Sequence, residues 1–265
     1  MTPGVTSRRP SLRLERGLQR AGHRLVAGMD EVGRGAIAGP VSVGVVVIDE
    51  VCRSAPVGVK DSKLLSPRVR ERLVPKIQAW SRDYAVGHAS PAEIDRYGII
   101  VALRLAGTRA LTALSIRSVT PDLVILDGSH DWLSDPHRVG LLGLREEPLD
   151  EGPGLPVRTM VKADMFCSSV AAASVLAKVE RDAIMVALAA EVPAYAWELN
   201  KGYCAPEHLS ALQSHGPSVH HRRSWRLPGL NGAGEAVGFA ATRVAAVADA
   251  LLDDEGVPTE RGGEQ

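Results

Sequence analysis

The sequence predicts an α/β fold, one mixed sheet covered by helices. Three observations predict it. Short, β-branched, largely apolar runs at 25–30, 41–48, 83–89, 122–127 and 157–162 read as strands. Stretches with apolar residues at helical spacing, at 67–80, 98–116 and 168–190, separate some of them. The first two strands follow one another with no helix between, so the sheet opens with a pair and continues by crossovers.

Taken in order, the first dozen residues are polar, and a tail is expected over 1–18, ahead of a folded domain over 19–228. The run 41–48 (VSVGVVVI) is the most apolar of the chain and rich in β-branched residues, as suits a strand. Pro67 suits the first turn of the helix that follows it. The helices at 98–116 and 168–190 are strongly apolar on one side, and Ala171, Ala172 and Ala173 suit close approach to a sheet. Residues 129–156 hold several Pro and Gly without a period, which predicts a long loop or insertion. A Gly-rich break at 229–238 then leads into an acidic tail, 229–265, with room for one Ala-rich helix near 236–252.

Aromatics make up only 4% of 265 residues, so the core must rest on Val, Leu, Ile and Ala. The formal net charge of zero decides nothing about nucleic acid, but it hides a basic stretch. From 200 to 228, Lys201, Arg222, Arg223 and Arg226 stand against Glu207, with four histidines besides. The three cysteines form neither a disulfide framework nor a CxxC pair, as suits a reducing compartment. No apolar leader follows the N-terminus, and the run 41–48 is too short to span a bilayer. A cytoplasmic protein without a membrane partner is expected.

The most informative segment is GMDEVGRGAIAGP at 28–40. Asp30 and Glu31 end an apolar strand and run into Gly33, Arg34 and Gly35. Taken alone, this is an ordinary capped turn more often than a site. A dinucleotide loop fits poorly, since the glycines miss GxGxxG and a strand follows. A second apolar strand ends in Asp127 and Gly128, and a third runs into Asp164 ahead of a helix. Ligand sites of α/β sheets gather at strand carboxyl ends. Three such ends would crowd like charges, which repel unless cations lie among them. Oxygen-only donors select Mg²⁺ or Mn²⁺, and two such ions about 3.5–4 Å apart drive attack of water on a phosphodiester. Adjacent strand residues face opposite sides, so a bulge or strand end is expected near Glu31 if it joins Asp30 at one metal pair.

Five segments in order resemble the bacterial ribonuclease HII family over roughly 22–226: GMDEVGRGAIAGPV, KDSKLLS, ILDG, VKADMFCSSVAAASVLAKVERD and NKGYCAPEHLSAL…HRRSW. The resemblance implies a ribonuclease H-like fold, a five-stranded mixed sheet flanked by helices with a helical C-terminal part. It implies that Asp30, Glu31, Asp127 and Asp164 are the catalytic, metal-binding acids, holding two Mn²⁺ or Mg²⁺ ions. Ala163 stands where the family commonly has glycine. Gly33, Arg34 and Gly35 are implied to grip the backbone and sense a 2′-OH, and Tyr203 to lie beside the RNA–DNA junction. Lys60, in the turn with Asp61 and Lys63 before the helix at 67–80, and Arg222, in the basic stretch, are expected to contact substrate. His215, His220 and His221 are expected at the surface or on phosphates. The implied substrates are RNA–DNA hybrids and DNA with embedded ribonucleotides, cut by a monomer to give 3′-OH and 5′-phosphate ends. A resolvase or integrase-like nuclease, and an inactive hybrid-binding module, are the competing classes; the GRG and KGY segments weigh against the first and the intact acids against the second.

Overall fold

The structure, a computed structural model, describes residues 9–134 and 154–227. Five strands form one sheet, β1 (Val26–Val32), β2 (Val41–Ile48), β3 (Asp83–Ala89), β4 (Leu123–Asp127) and β5 (Val157–Met160), in the order β3-β2-β1-β4-β5. The first three pair antiparallel; β1–β4 and β4–β5 are parallel. The mixed sheet expected from the element order is therefore present.

Helices cover both faces: α1 (Arg13–Arg20), α2 (Pro67–Trp80), α3 (Pro91–Ile116), α4 (Ala163–Phe166), α5 (Ser168–Glu191), α6 (Trp197–Asn200) and α7 (Pro206–His215). Strand alternation sorts the core. Val41, Val43, Val45 and Val47 join Ala27, Met29, Val124 and Leu126 against α3. Val26, Val46, Ile48, Leu123 and Ile125 pack with α2 and α5. Each Val, Leu, Ile or Met among them contributes roughly 1.5–3 kcal/mol when fully buried. The α5 backbone lies almost on the sheet. A Cβ at Gly28 would stand 2.3 Å from the Val170 nitrogen, and one at Gly44 2.3 Å from the Ala173 carbonyl oxygen.

The structure shifts several boundaries. The helix expected at 98–116 starts at Pro91, capped by Ser90 and Glu93, with its break at Gly98 (φ +79°). By length and composition α3 could cross a membrane, but Ala102, Leu103, Ala106, Ala110 and Leu114 are fully buried in the core against the sheet. The last expected strand stops at Met160, and Lys162 turns into the left-handed region (φ +57°) before α4. Residues 13–18, expected in the tail, belong to α1. Glu15 of α1 is fully buried and accepts from the Ser169 backbone N–H (3.0 Å) and hydroxyl (2.9 Å), occupying donors at the start of α5.

The expected 129–156 loop enters through Trp132 and Leu133, both buried against α3, with the Trp132 carbonyl accepting from Arg104 at 3.2 Å. Most of that loop, the expected 229–265 tail and the Ala-rich helix near 236–252 lie outside the described residues. The helical C-terminal part packs on the far end of α5. There Tyr195, Trp197, Ala211 and Leu212 meet Met185, Leu188, Ile37 and Ala38, which brings the segment after β1 against the segment before α7.

Candidate active site

Asp30 and Asp127 share the α5 face of the sheet. Asp30 follows Gly28 by two residues on β1, and Asp127 follows Ile125 by two on β4. Asp164, in the first turn of α4, completes a group of three whose ligand oxygens lie within 4.8 Å of one another. The Ala163 backbone N–H donates to Asp127 at 2.6 Å and so ties β4 to the turn that presents Asp164. Behind Asp30, Ser174 of α5 donates a hydrogen bond, and the Ser174 hydroxyl meets that of Ser62 at 2.8 Å.

This geometry opposes ionisation. Burial, with Glu31 and Asp127 beside it, holds Asp30 well above the ordinary carboxylate range. Burial, then Asp127 and Asp61, push Asp164 up to about 6. Burial also raises Glu31, against Arg34.

Glu31 departs from expectation. The β1–β2 register runs unbroken from Val26↔Ile48 to Val32↔Ser42, so there is no bulge at Glu31 and the strand ends two residues later than expected. Asp30 and Glu31 therefore leave opposite faces, and Glu31 stays outside the group of three. One of its oxygens is 3.5 Å from Arg34; the other is buried without a partner. An orphaned carboxylate oxygen beside three crowded, oxygen-only donors is what a hard divalent cation would satisfy, so the residues present fit Mg²⁺ or Mn²⁺.

The loop after β1 is held from behind. Gly33 has φ +84°, and a Cβ there would stand 2.0 Å from the Arg181 guanidinium, so only glycine fits. Arg34 is half exposed. Arg222, expected on substrate phosphates, is fully buried and donates instead to the carbonyls of Gly33 (2.7 Å), Arg34 (2.9 Å), Gly39 and Pro40. The correction has a simple cause: a guanidinium has five donors, and the turned loop offers it a cluster of carbonyls. Arg181 works beside it on Ala38, Pro40 and Lys201.

Tyr203 is half-buried, with Arg181 5.3 Å and Lys178 5.7 Å from its ring centre. Its loop is stitched to the loop after β1, since the N–H groups of Ile37 and Ala38 both donate to the Gly202 carbonyl. Lys60 is half-buried in the turn that Asp61 caps. Lys63, three residues on, is the cation that faces the acids. Burial would lower its pKa, but Asp30, Asp61, Asp164 and Asp127 together raise it. From the sequence, Lys63 is expected, like Lys60, in the turn and against the substrate backbone; its place facing the acids has no signal in periodicity that separates it from Lys60. Of the histidines, His215 is exposed, His220 is half-buried, and His221 is buried beside His208. His221 thus leaves the expected surface set.

A five-stranded mixed sheet flanked by helices, with acids gathered at its strand ends, is the architecture of the ribonuclease H-like class. Comparison with known proteins narrows this. The Ribonuclease HII family matches residues 27–227. The ribonuclease HII of Streptomyces coelicolor is 45% identical over 217 residues, covering 82% of this chain and 83% of that protein. That of Nitrosococcus oceani is 45% identical over 201 residues, 76% of this chain and 88% of that one. Among solved structures, the Archaeoglobus fulgidus ribonuclease HII in complex with PCNA superposes with a TM-score of 0.57 at 28% identity, over 76% of this chain and 93% of that chain. The Pyrococcus horikoshii ribonuclease H2 gives 0.53 at 30% identity, over 77% and 94%. The chain belongs to the ribonuclease HII family and is an endoribonuclease, a hydrolase that cleaves RNA in RNA–DNA hybrids.

Proposed function

We propose that this enzyme, besides cutting the RNA strand of hybrids, incises 5′ to a single ribonucleotide embedded in duplex DNA. The products are 3′-OH and 5′-phosphate ends. The observation that carries the reading is the joining of two loops beside the carboxylates. The Gly33-Arg34-Gly35 loop and the Tyr203 loop are held as one unit by Arg181, Arg222 and the Gly202 carbonyl.

Asp30, Asp127 and Asp164 would hold the divalent ions, Mn²⁺ or Mg²⁺; Glu31, whose charge reaches Asp30 and Asp127, would join them through a turn of the strand end that brings its unpartnered oxygen to the same face. When bound, these ions supply the activation of water and the stabilisation of leaving-group charge that phosphodiester hydrolysis needs. The protein's own groups do the reading. With its carbonyls taken from inside by Arg222, the loop offers main-chain N–H groups and the exposed Arg34 to the strand, and a 2′-OH is the local mark of a ribonucleotide. Tyr203, backed on cations, offers its ring to the deoxynucleotide that follows. Lys60 and Arg34 contribute phosphate contacts, which position without specifying.

The test is cleavage of a duplex holding one ribonucleotide, with Mn²⁺, with Mg²⁺ and with chelator, the ends being mapped. A single cut 5′ to the ribonucleotide that depends on metal supports the reading. Cleavage of long hybrids only would restrict the enzyme to continuous RNA.

A further inference from the structure

We propose that His208 and His221, locked together as complementary neutral tautomers, are positioning residues that seat the Tyr203 loop against the loop following β1. The inference rests on Tyr203 reading the junction, as set out above. Three fixed groups determine the protons. The Trp197 indole N–H donates to His208 Nε2 at 3.2 Å, so that nitrogen is an acceptor. The Tyr203 carbonyl, 2.8 Å from His208 Nδ1, can only accept, so Nδ1 carries the hydrogen. At the other ring, the Ser218 backbone N–H meets His221 Nδ1 at 3.0 Å, which leaves the hydrogen on Nε2, aimed at His208 Nε2 3.0 Å away. One direction leaves no donor facing a donor: Ser218 to His221, His221 to His208, His208 to Tyr203. His208 Nε2 shares its lone pair between the Trp197 and His221 N–H groups, and His221 Nδ1 its own between the Ser218 N–H and hydroxyl. A second proton on either ring would set donor against donor.

The chain spans the two loops that the proposed function needs. His221 lies in a segment bridged antiparallel to Ala38, where Gly39 N–H donates to the His220 carbonyl and Arg222 N–H to that of Ile37. His208 ends the chain on the main chain of Tyr203 itself. Both rings are buried and packed on Tyr195 and Trp197, edge-on except for the tilted contact of His221 with Trp197, so they have little room to turn. The charged and titratable groups that face them are Glu207, His220, Arg223 and Tyr195. Burial keeps both rings neutral at physiological pH, with His221 lowered to about 3.

Two substitutions at one position separate positioning from packing. In His208→Asn the amide N–H replaces Nδ1–H and keeps the bond to Tyr203. In His208→Gln the amide oxygen replaces Nε2 and keeps the bonds to Trp197 and His221 but drops Tyr203. Single-turnover rates of the full-length variants are compared on a single-ribonucleotide duplex and on a continuous hybrid. His208→Gln should lower the ratio of the two rates about fivefold, as for loss of one buried hydrogen bond. His208→Asn should hold the ratio near wild type, and His208→Gln should add nothing in a Tyr203→Ala background. Nitrogen-15 NMR of the wild-type imidazoles should show His208 protonated at Nδ1 and His221 at Nε2, a readout independent of variant folding. A ratio that falls in Tyr203→Ala but not in His208→Gln, or the opposite tautomer at His208, overturns the positioning role alone. A ratio unchanged in Tyr203→Ala overturns the junction reading, and this role with it.

Discussion

Arg222 lies directly behind Gly33, its guanidinium donating to the Gly33 carbonyl at 2.7 Å across 189 positions of sequence. A residue that looks like part of a basic, phosphate-facing stretch is instead the inner support of the loop beside the acids. The two roles differ in what salt does. A phosphate contact adds about 0.9 to the slope of log affinity against log salt; a buried support adds nothing.

Arg222→Met should therefore lower stability by at least about 2–3 kcal/mol, since several buried carbonyls lose their donor. The salt slope of hybrid binding in the folded fraction should stay at the wild-type value. Arg34→Ala should do the reverse, with stability near wild type and a slope shallower by about 0.9. A shallower slope for Arg222→Met would return that residue to the phosphate contacts.

For the acids, Asp30→Asn or Asp127→Asn should abolish cleavage and leave hybrid affinity within a few fold, because binding rests on many phosphate contacts while chemistry needs the cations. Single-turnover rate and dissociation constant, measured on the same preparations, check this. An Asp127→Asn enzyme within tenfold of wild type would remove that residue from the site.

Lys63 places its positive charge in the field of Asp30, Asp61, Asp164 and Asp127, where an incoming cation must compete with it. Lys63→Met should lower the Mn²⁺ concentration needed for half-maximal activity about fivefold. That corresponds to about 1 kcal/mol for one charge near a solvated surface. A metal titration that moves the other way would make Lys63 a partner of the loaded site rather than its competitor.

The sheet was legible because its strands are locally unambiguous. VSVGVVVI and DYAVGHA stand as strands at the expected bounds, and so does the helix Pro67–Trp80. The start of α3 was also written in the sequence, since Ser90-Pro91-Ala92-Glu93 is a capping box with proline at the first turn. Gly98 drew the boundary instead. Other features had a weak local signal or none. α1 carries Leu14 and Leu18 at helical spacing, too few residues to mark a helix on their own, and what anchors it is Glu15 accepting from Ser169, 154 positions away. Of the acids, the sequence located Asp30, Asp127 and Asp164, which the fold gathers. It could not show that Glu31 leaves by the other face, because that depends on a register with β2 that stays regular to Val32. The burial of Arg222, His208 and His221 was equally hidden, since charge and polarity in a stretch say nothing of carbonyls supplied by a distant loop.

The last prediction is a stability profile whose sign depends on metal. Asp164 has its pKa raised to about 6 and Asp30 is held well above its ordinary value, so the fold prefers both protonated. A carboxyl whose folded pKa exceeds its unfolded one binds protons more readily when folded, so its contribution to stability rises as pH falls through the folded value. His221 acts oppositely. Its pKa is lowered to about 3 from an ordinary 6.5, so the unfolded chain takes up the proton first, and stability is lost as pH falls from about 6.5 toward 3. In chelator, lowering pH from 8 to about 5.5 should hold or raise the melting temperature, with the acids offsetting the histidine. With saturating Mn²⁺, protons must displace the ion, both contributions point the same way, and the melting temperature should fall steadily over that interval. Asp30→Asn should raise the metal-free melting temperature at pH 8, because it removes a buried carboxylate from a repelling group. Melting curves of wild type and Asp30→Asn across this pH range, with and without Mn²⁺, test all three statements. Parallel profiles with and without metal would show that the carboxylates are not the groups being neutralised.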